Sequence, residues 1–445
     1  MKDANKETLN SNGIYDARSL GIPKMLILGI QHTFAMFGAT VLVPIITGLD
    51  VSTTLLMAGL GTLLFHLITR GKVPAFLGSS FAFLGGYAAV APMLEDGTPN
   101  TELLPYACGG VVVAGLIYVI MSGLIKVFGV KKIMRFFPPV VTGPIIIAIG
   151  LILAPSAITN CSENWLLAFV AFALIVVCNI WGKGMVKILP ILIGVVGAYL
   201  VALLMGEVDF SVVTDPSTPV FALALHPSAF AKFSISACIT IAPIALATMM
   251  EHIGDIAAIS ATAEKNYLAD PGLHRTLLGD GLATSFAGFF GGPANTTYGE
   301  NTGVLALTKV YDPRVMRIAA CCAIVLSFFP RFGALIQTIP TAIIGGISFV
   351  LYGMISAIGV RNVVENQVDF TNSRNLIIAA VILVSALGFN TVGGITIPFG
   401  AGNSFTLSGL AIAAIVGILL NAILPGNDYE FGRDLEGDTA VNFKV

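Results

Sequence analysis

The sequence predicts an all-α polytopic membrane protein with fourteen transmembrane spans. Hydrophobic residues make up 56% of the 445 positions and charged residues only 11%, whereas soluble domains carry about 25% charged residues. Apolar runs of roughly 18 or more residues, the length of a helix that crosses a bilayer, recur along the whole chain. Most of the surface therefore faces lipid or other helices.

The predicted spans alternate across the membrane in a way that fits the distribution of positive charge. If the N-terminus is cytoplasmic, all 23 Lys and Arg residues except Lys232 and Arg331 fall on the cytoplasmic side, the side on which membrane proteins concentrate them. The acidic loops around Glu95 and Asp209 fall on the opposite, extracytoplasmic side of the membrane. We therefore expect both termini to be cytoplasmic. The spans are residues 24–48, 51–69, 74–92, 105–127, 138–155, 164–181, 185–205, 233–256, 274–291, 293–308, 314–330, 339–358, 373–390 and 405–424.

Two of the spans are interrupted by residues that disfavour a continuous helix. Residues 74–86 and 291–303 are both rich in Gly, and they contain Pro and hydroxyl residues. Irregular backbone at membrane depth survives only where it lines a cavity enclosed by protein. Paired interrupted segments in the two halves of a chain are typical of a transporter binding site. We expect such a site where the two segments meet.

Short matches relate the two halves of the chain. Residues 79–81 and 296–298 each contain two hydroxyl residues and an aromatic, 217 positions apart, and residues 138–143 match 340–345 through Pro and Gly. Seven spans per half is an odd number, so the second half must lie inverted relative to the first. The sequence predicts a seven-plus-seven inverted repeat.

Ionisable residues inside the predicted spans are candidates for function, because each is costly to bury. Glu251 and Asp255 lie four residues apart on a predicted helix and share one face. Two carboxylates that close are suited to sharing a proton. The alternative for Asp255 is a cap or a salt bridge near the cytoplasmic end. His252 lies in the same span, and Asp280 is placed nearer a helix end.

The second interrupted segment carries groups that suit a planar heterocycle. Glu300 lies there beside Tyr298 and Gly299. A broken helix exposes backbone N–H groups that can donate to ligand carbonyls, while a carboxylate accepts from ring N–H groups. Phe81, in the first interrupted segment, is the candidate for stacking on the ring, although an ordinary packed Phe is the alternative.

Motifs for other chemistries are not found in the sequence. There is no HExxH zinc motif, GxSxG elbow or Walker A loop, so an enzyme and an ATP-driven transporter both lose support. The six cysteines show no CxxC spacing, which indicates neither a metal site nor a disulfide framework. A net charge of −2 without a basic patch gives no support for nucleic acid as a partner. We expect no cofactor and H⁺ as the coupling ion.

The chain resembles the nucleobase–ascorbate transporter family. Residues 300–309, Glu-Asn-Thr-Gly-Val-Leu-Ala-Leu-Thr-Lys, are similar to the family signature, and Gln31-His32 resembles its first-span motif. These two residues lie midway along the first span, where they either hydrogen-bond a neighbouring helix or support a site. The resemblance runs over nearly the whole chain and is strongest to the bacterial uracil-transporting branch.

The resemblance implies an inner-membrane symporter that imports uracil with protons by an elevator-like movement, and that forms a homodimer. Spans 1–4 and 8–11 (24–127 and 233–330) would form a core domain. Spans 5–7 and 12–14 (138–205 and 339–424) would form a gate domain, with 1–23 and 425–445 in the cytoplasm. Spans 3 and 10 would each contain a short extended strand, with substrate held between them.

The resemblance also implies roles for individual residues. The implied substrate-binding residues are Glu251, Glu300, Phe81, Tyr298, Gly299, Ser80 and Tyr352, the last from the gate domain. The implied proton-coupling residues are Glu251, Asp255 and Glu300, and the supporting residues are Gln31, His32 and Asn301.

Asp255 departs from the uracil branch, which has a histidine at this place. An aspartate is similar to the branch that transports xanthine and urate, whereas Glu300 points to the uracil branch. The alternatives are therefore a xanthine or urate symporter, or a channel or facilitator without coupling, since broken helices also build selectivity filters. An anion transporter of the same general architecture is a further alternative.

Overall fold

The described part of the chain is largely helical. The computed structural model describes residues 13–94, 98–215, 218–399, 403–427 and 429. The acidic loop residue Glu95 and most of the two predicted cytoplasmic end segments therefore lie outside the described residues. Within them are the helices α1 (Ile22–Thr47), α2 (Val51–Ile68), α3 (Leu84–Val90), α4 (Leu104–Phe128), α5 (Val130–Met134), α6 (Pro139–Ser162), α7 (Trp165–Trp181), α8 (Met185–Ile188), α9 (Pro190–Met205), α10 (Ser211–Thr214), α11 (Ile235–Ile241), α12 (Ile244–Thr262), α13 (Leu273–Phe289), α14 (Gly299–Thr308), α15 (Pro313–Ser327), α16 (Pro330–Gln337), α17 (Thr341–Glu365), α18 (Ser373–Thr391) and α19 (Gly409–Ile423). The strands are β1 (Leu77–Ser79), β2 (Asn295–Thr297), β3 (Ile395–Phe399) and β4 (Asn403–Leu407).

Every one of the fourteen predicted segments overlaps at least one of these helices. In the described chain, 7 helices are long and apolar enough to cross a membrane, or 8 if α15 and α16, which are bent by 87°, count as one span. Four shorter apolar helical segments accompany them. The chain is thus a multi-pass membrane protein, and the number fourteen stays a prediction.

Two predicted spans that contain proline differ from the observed helices. The predicted span 233–256 is divided into α11 and α12 at Ala242 and Pro243, where the proline ring and its missing N–H interrupt the helix. The predicted span 138–155 instead continues to Ser162, although Pro144 and Pro155 lie inside α6. Membrane helices tolerate such prolines where neighbouring groups satisfy the freed carbonyls.

Strands β1 and β2 form a two-stranded antiparallel sheet where the two interrupted segments meet. A short strand in each of these segments was expected, and both strands are present. The register places Leu77 opposite Thr297, Gly78 opposite Thr296 and Ser79 opposite Asn295. A second antiparallel pair, β3 and β4, lies between α18 and α19 and was not predicted.

Threonine side chains complete the hydrogen bonding of the β1–β2 sheet. Thr62 of α2 donates from Oγ1 to the Leu77 carbonyl at 3.1 Å and accepts from the Leu77 N–H at 2.9 Å. Thr284 of α13 donates to the Asn295 carbonyl at 2.6 Å. Because backbone polar groups at membrane depth must find partners within the protein, these threonines stabilise a small sheet at that depth.

The helices pack mainly in two groups, and α12 lies between them. In one group α1, α2, α4, α13 and α15 contact one another, and in the other α6, α7, α9, α17, α18 and α19 do so. Helix α12 contacts α4, α13 and α14 of the first side and α6 and α19 of the second, and it also contacts β2. The boundary between the two groups is therefore where α12 and the strands meet.

Gly78 gives the first testable prediction. A Cβ atom at this position would lie 2.6 Å from the Tyr298 ring and 2.8 Å from Thr40 Oγ1, so Gly78→Ala forces the two segments apart. Overpacking of this kind costs about 1–3 kcal/mol. We expect a clearly lower thermal unfolding midpoint of the purified protein in detergent.

Gly85→Ala is the matched control, because a Cβ atom there meets nothing within 4 Å. It should leave the midpoint unchanged or slightly raised. Equal midpoints for the two variants would contradict the close approach at Gly78.

Candidate functional site

Tyr298 braces the end of the β1–β2 sheet. Its hydroxyl donates to the Ser79 carbonyl at 2.9 Å and accepts from Thr40 Oγ1 at 3.3 Å. Its backbone N–H donates to the Phe76 carbonyl at 3.1 Å, and its side chain is buried. These contacts join β1, β2 and α1, and the predicted contact of Tyr298 with substrate stays a prediction.

Helix α14 begins directly after this brace, at Gly299. Its first turn points towards α12, because Asp255 Oδ1 lies 3.5 Å from the place where a Cβ atom of Gly299 would be. A helix N-terminus carries unsatisfied N–H groups and a partial positive charge. The backbone of Glu300 lies in this first turn, whereas its side chain lies outside the described part of the structure.

Glu251 and Asp255 are both half-buried on α12, on the face predicted from their spacing. Asp255 accepts a hydrogen bond from Thr297 Oγ1 on β2, at 2.8 Å between Oγ1 and Oδ2. Asp255 therefore faces the sheet and the start of α14, and its role in proton coupling stays a prediction. Glu251 lies one turn earlier on the same helix.

Phe81 and Tyr352 bring the two groups of helices together at the same place. Phe81 follows β1 in a single 3₁₀ turn, Phe81–Phe83, while Tyr352 lies on α17. Their rings meet edge to face with centroids 6.2 Å apart, and both side chains are buried. The neighbouring Ser80 is also buried, and its hydroxyl has no hydrogen-bond partner among the described residues.

His32 and Asn301 contact each other between α1 and α14, and their role as supporting residues stays a prediction. Asn301 Nδ2 lies 3.3 Å from His32 Nδ1, and since the amide N–H can only donate, the ring nitrogen accepts. Both side chains are fully or almost fully buried. Gln31, the preceding residue on α1, is half-buried. The contact ties α1 to the first turn of α14, where the carboxylates of α12 converge.

Sequence reasoning placed Asp280 wrongly and overlooked the role of its neighbours. Asp280 lies in the middle of α13 rather than near its end, and its side chain is completely buried beside His252. The signal that could have found this pair was a histidine and an aspartate in two consecutive apolar spans, since each needs a partner when it is buried. Thr297, which joins Asp255 to the sheet, was noticed only as part of the repeat.

Comparison with known proteins agrees with this architecture. The profile of the Permease family matches residues 23–395. The chain belongs to this family, the nucleobase–ascorbate transporters. The prediction of a permease rather than an enzyme is confirmed by this membership.

Relatives of this nucleobase–ascorbate transporter include two named uracil permeases. The uracil permease of Bacillus caldolyticus is 41% identical over 426 residues, covering 93% of this chain and 94% of the relative. The uracil permease of Bacillus subtilis (strain 168) is 41% identical over 413 residues, covering 89% and 91%. Among solved structures, the transmembrane domain of a cyanobacterium bicarbonate transporter, BicA, aligns with a TM-score of 0.62 at 17% identity, over 86% of this chain and 98% of that one. That last likeness shows the fold alone.

The hydroxyl of Tyr298 gives a prediction for the stability of this nucleobase–ascorbate transporter. Tyr298→Phe keeps the ring and removes the hydrogen bonds to the Ser79 carbonyl and from Thr40. A buried acceptor left without its donor costs about 1–3 kcal/mol. We expect a lower thermal unfolding midpoint in detergent.

Tyr106→Phe serves as the control, because Tyr106 is only half-buried and its described contact is with Lys232 over the face of its ring, which Phe retains. If Tyr298→Phe melts no lower than Tyr106→Phe, the Tyr298 hydroxyl does not stabilise the β1–β2 sheet.

Proposed function

We propose that the chain is a uracil–proton symporter that imports uracil across the cytoplasmic membrane by alternating access. The observation that carries the proposal is the position of two half-buried carboxylates on α12, beside the strand ends and the first turn of α14. Extensive identity to uracil permeases of two Bacillus species supports uracil as the substrate.

Uracil fits the groups that meet at this place. Its ring presents two N–H groups and two C=O groups around a flat face. The carboxylates of Glu251 and Glu300 accept from the ring N–H groups, and the backbone N–H of Gly299 donates to a ring carbonyl. Phe81 stacks on the ring, held by the edge of Tyr352, while the hydroxyl of Ser80 supplies a further polar contact. Charge-assisted hydrogen bonds of this kind are about twice as strong as neutral ones.

Proton coupling is assigned to the carboxylates, Asp255 and Glu251 with Glu300. A carboxylate that carries charge across a low-dielectric region pays a large solvation cost, and binding a proton removes that cost. Glu251 is proposed as an acceptor for the ring as well, so protonation and uracil binding are expected to influence each other. Glu300, in the first turn of α14, is proposed as the third proton-binding group.

The register of the β1–β2 sheet supports the inverted repeat. Shifting by the predicted 217 positions turns the pair Gly78 and Thr296 into the pair Ser79 and Asn295, and both pairs are present in the same sheet. The pair Leu77 and Thr297 becomes Ser80 and Ala294, and the Ser80 N–H donates to the Ala294 carbonyl at 2.8 Å. Both strands therefore lie at corresponding positions of the two predicted halves, and they pair antiparallel.

The two groups of helices support a division into core and gate. We assign 24–127 and 233–330 to the core and 138–205 and 339–424 to the gate, within fourteen spans, with the gate fixed and the core moving in an elevator-like manner. Contacts of the N-terminal segment with the cytoplasmic loops support a cytoplasmic N-terminus: Asp16 pairs with Arg314 at 2.6 Å, and Ile14 bridges to Val310. The homodimer is proposed from the family resemblance.

Xanthine or urate is the second candidate substrate. Asp255, where the uracil branch has histidine, is the observation that favours it. The same site geometry would accept either purine, since both also carry N–H and C=O groups along the ring edge.

The decisive experiment measures radiolabelled uracil uptake into membrane vesicles with and without an imposed inward proton gradient, with excess xanthine or urate as competitors. We expect gradient-dependent accumulation that neither purine blocks. Glu251→Gln should abolish accumulation, because an amide cannot replace the charged acceptor. The exposed Glu163 provides the control Glu163→Gln, which should transport normally at equal amounts in the membrane.

Two results would contradict the proposal. Accumulation that survives collapse of the proton gradient would exclude proton coupling, and strong block by xanthine or urate would move the chain to the purine branch. Normal uptake by both Glu251→Gln and Glu300→Gln would remove the site assignment.

A further inference from the structure

A buried imidazole and carboxylate lie directly behind the half-buried carboxylates of α12. His252 Nδ1 on α12 is 3.2 Å from Asp280 Oδ2 on α13, and both side chains are completely buried. An isolated buried charge costs several kcal/mol. The two groups lie side by side, so that each lowers the cost of burying the other.

Thr297 connects this pair to Asp255. Its hydroxyl lies 2.8 Å from Asp255 Oδ2 and 3.4 Å from His252 Nδ1. A hydroxyl has one hydrogen to donate, and the shorter contact assigns that hydrogen to Asp255. His252 Nδ1 then faces two acceptors, so it carries a hydrogen. That one hydrogen is donated to the Thr297 oxygen, because neither oxygen of the nearby Asp280 carboxylate has a hydrogen-bond partner among the described residues. Donation runs in one direction, from the imidazole through the hydroxyl to Asp255.

We propose that His252 and Asp280 are positioning residues which, through the Thr297 hydroxyl, set the proton affinity of Asp255. The carboxylate of Asp280, 3.2 Å from Nδ1, favours a hydrogen on that nitrogen of His252 electrostatically, and His252 fixes the direction in which Thr297 donates. A hydrogen bond donated to a carboxylate stabilises its charged form. Asp255 therefore releases its proton more readily than it would without this chain of donors. This inference rests on the proposed function in one respect only, the role of the Asp255 proton in transport.

Few other titratable groups lie on the elements that contact α12. Glu251 lies on α12 itself and Tyr118 on α4, while the side chain of Glu300, in the first turn of α14, lies outside the described part of the structure. Tyr118 donates its hydroxyl hydrogen to Thr248 at 2.6 Å and so remains separate from the chain of donors. The segment before α13 carries Asp270, which is exposed and paired with Lys72 at 2.5 Å, and α6 and α19 bring no charged side chain to α12. Thr297 is the described side chain that joins the buried pair to Asp255.

A purely structural role would also explain a buried pair between α12 and α13. Such a role predicts loss of folding when either partner is removed, and it predicts no change in the protonation of Asp255. The two roles are separated by measuring that protonation directly.

The experiment is an infrared pH titration of the purified full-length protein in lipid vesicles. The carboxylic acid band of Asp255 is identified by its loss in Asp255→Asn. We expect Thr297→Val to move the titration midpoint of that band to higher pH by about one unit, the order expected for one lost hydrogen bond. Thr297→Ser, which keeps the hydroxyl, should restore the wild-type midpoint.

The pair itself is tested in the same titration. His252→Leu should move the midpoint in the same direction by a smaller amount, because the hydroxyl loses the donor that polarises it. His252→Asn, whose amide N–H occupies the place of Nδ1, should restore it. Combined with Thr297→Val, His252→Leu should add nothing, since its effect passes through the hydroxyl.

An unchanged midpoint in folded Thr297→Val, or additive shifts in the double variant, would overturn the proposal. Should Thr297→Val fail to fold, Thr297→Cys removes the strong donor at similar volume and has the same expected shift. The proposal would also be overturned if the Asp255 band does not titrate at any pH at which the protein is folded. Uracil uptake by the wild-type protein is measured separately, so a protein that takes up no uracil refutes the proposed function and leaves the titration result standing.

Discussion

The structure depends on one constraint, the need of every backbone polar group at membrane depth to find a partner inside the protein. Two segments leave the helical conformation at 77–79 and 295–297, and each satisfies the other as a strand. The remaining groups of the sheet are bound by threonines of α2 and α13. Because the strands end in mid-molecule, the helix that follows β2 begins there, and its first turn faces α12.

Charge is arranged in two layers around that helix start. Glu251 and Asp255 are half-buried on α12 and form the outer layer. His252 and Asp280 are completely buried behind them, with Thr297 between the layers. In the function and the inference proposed above, the outer carboxylates bind protons and substrate, and the buried pair positions them.

The sequence was sufficient for the helical class, the two interrupted segments and the shared face of Glu251 and Asp255, because each follows from hydropathy, Gly and Pro content, or helical spacing. It could not place Asp280, since burial at the centre of α13 depends on which helix packs against it. The β3–β4 pair was missed although Gly400 and Gly402 separate two runs rich in β-branched and aromatic residues, a pattern typical of a hairpin. The length of the apolar run that follows favoured a span instead.

The account's central claim is that substrate binds at the strand ends, between α12 and the start of α14. An experimentally determined structure with bound uracil tests it most directly. The account predicts uracil within hydrogen-bonding distance of Glu251 and the Gly299 backbone, with its face against Phe81. Uracil bound elsewhere, for example in the cleft lined by Gly85, Ile149, Asn390 and Ser408, would contradict it.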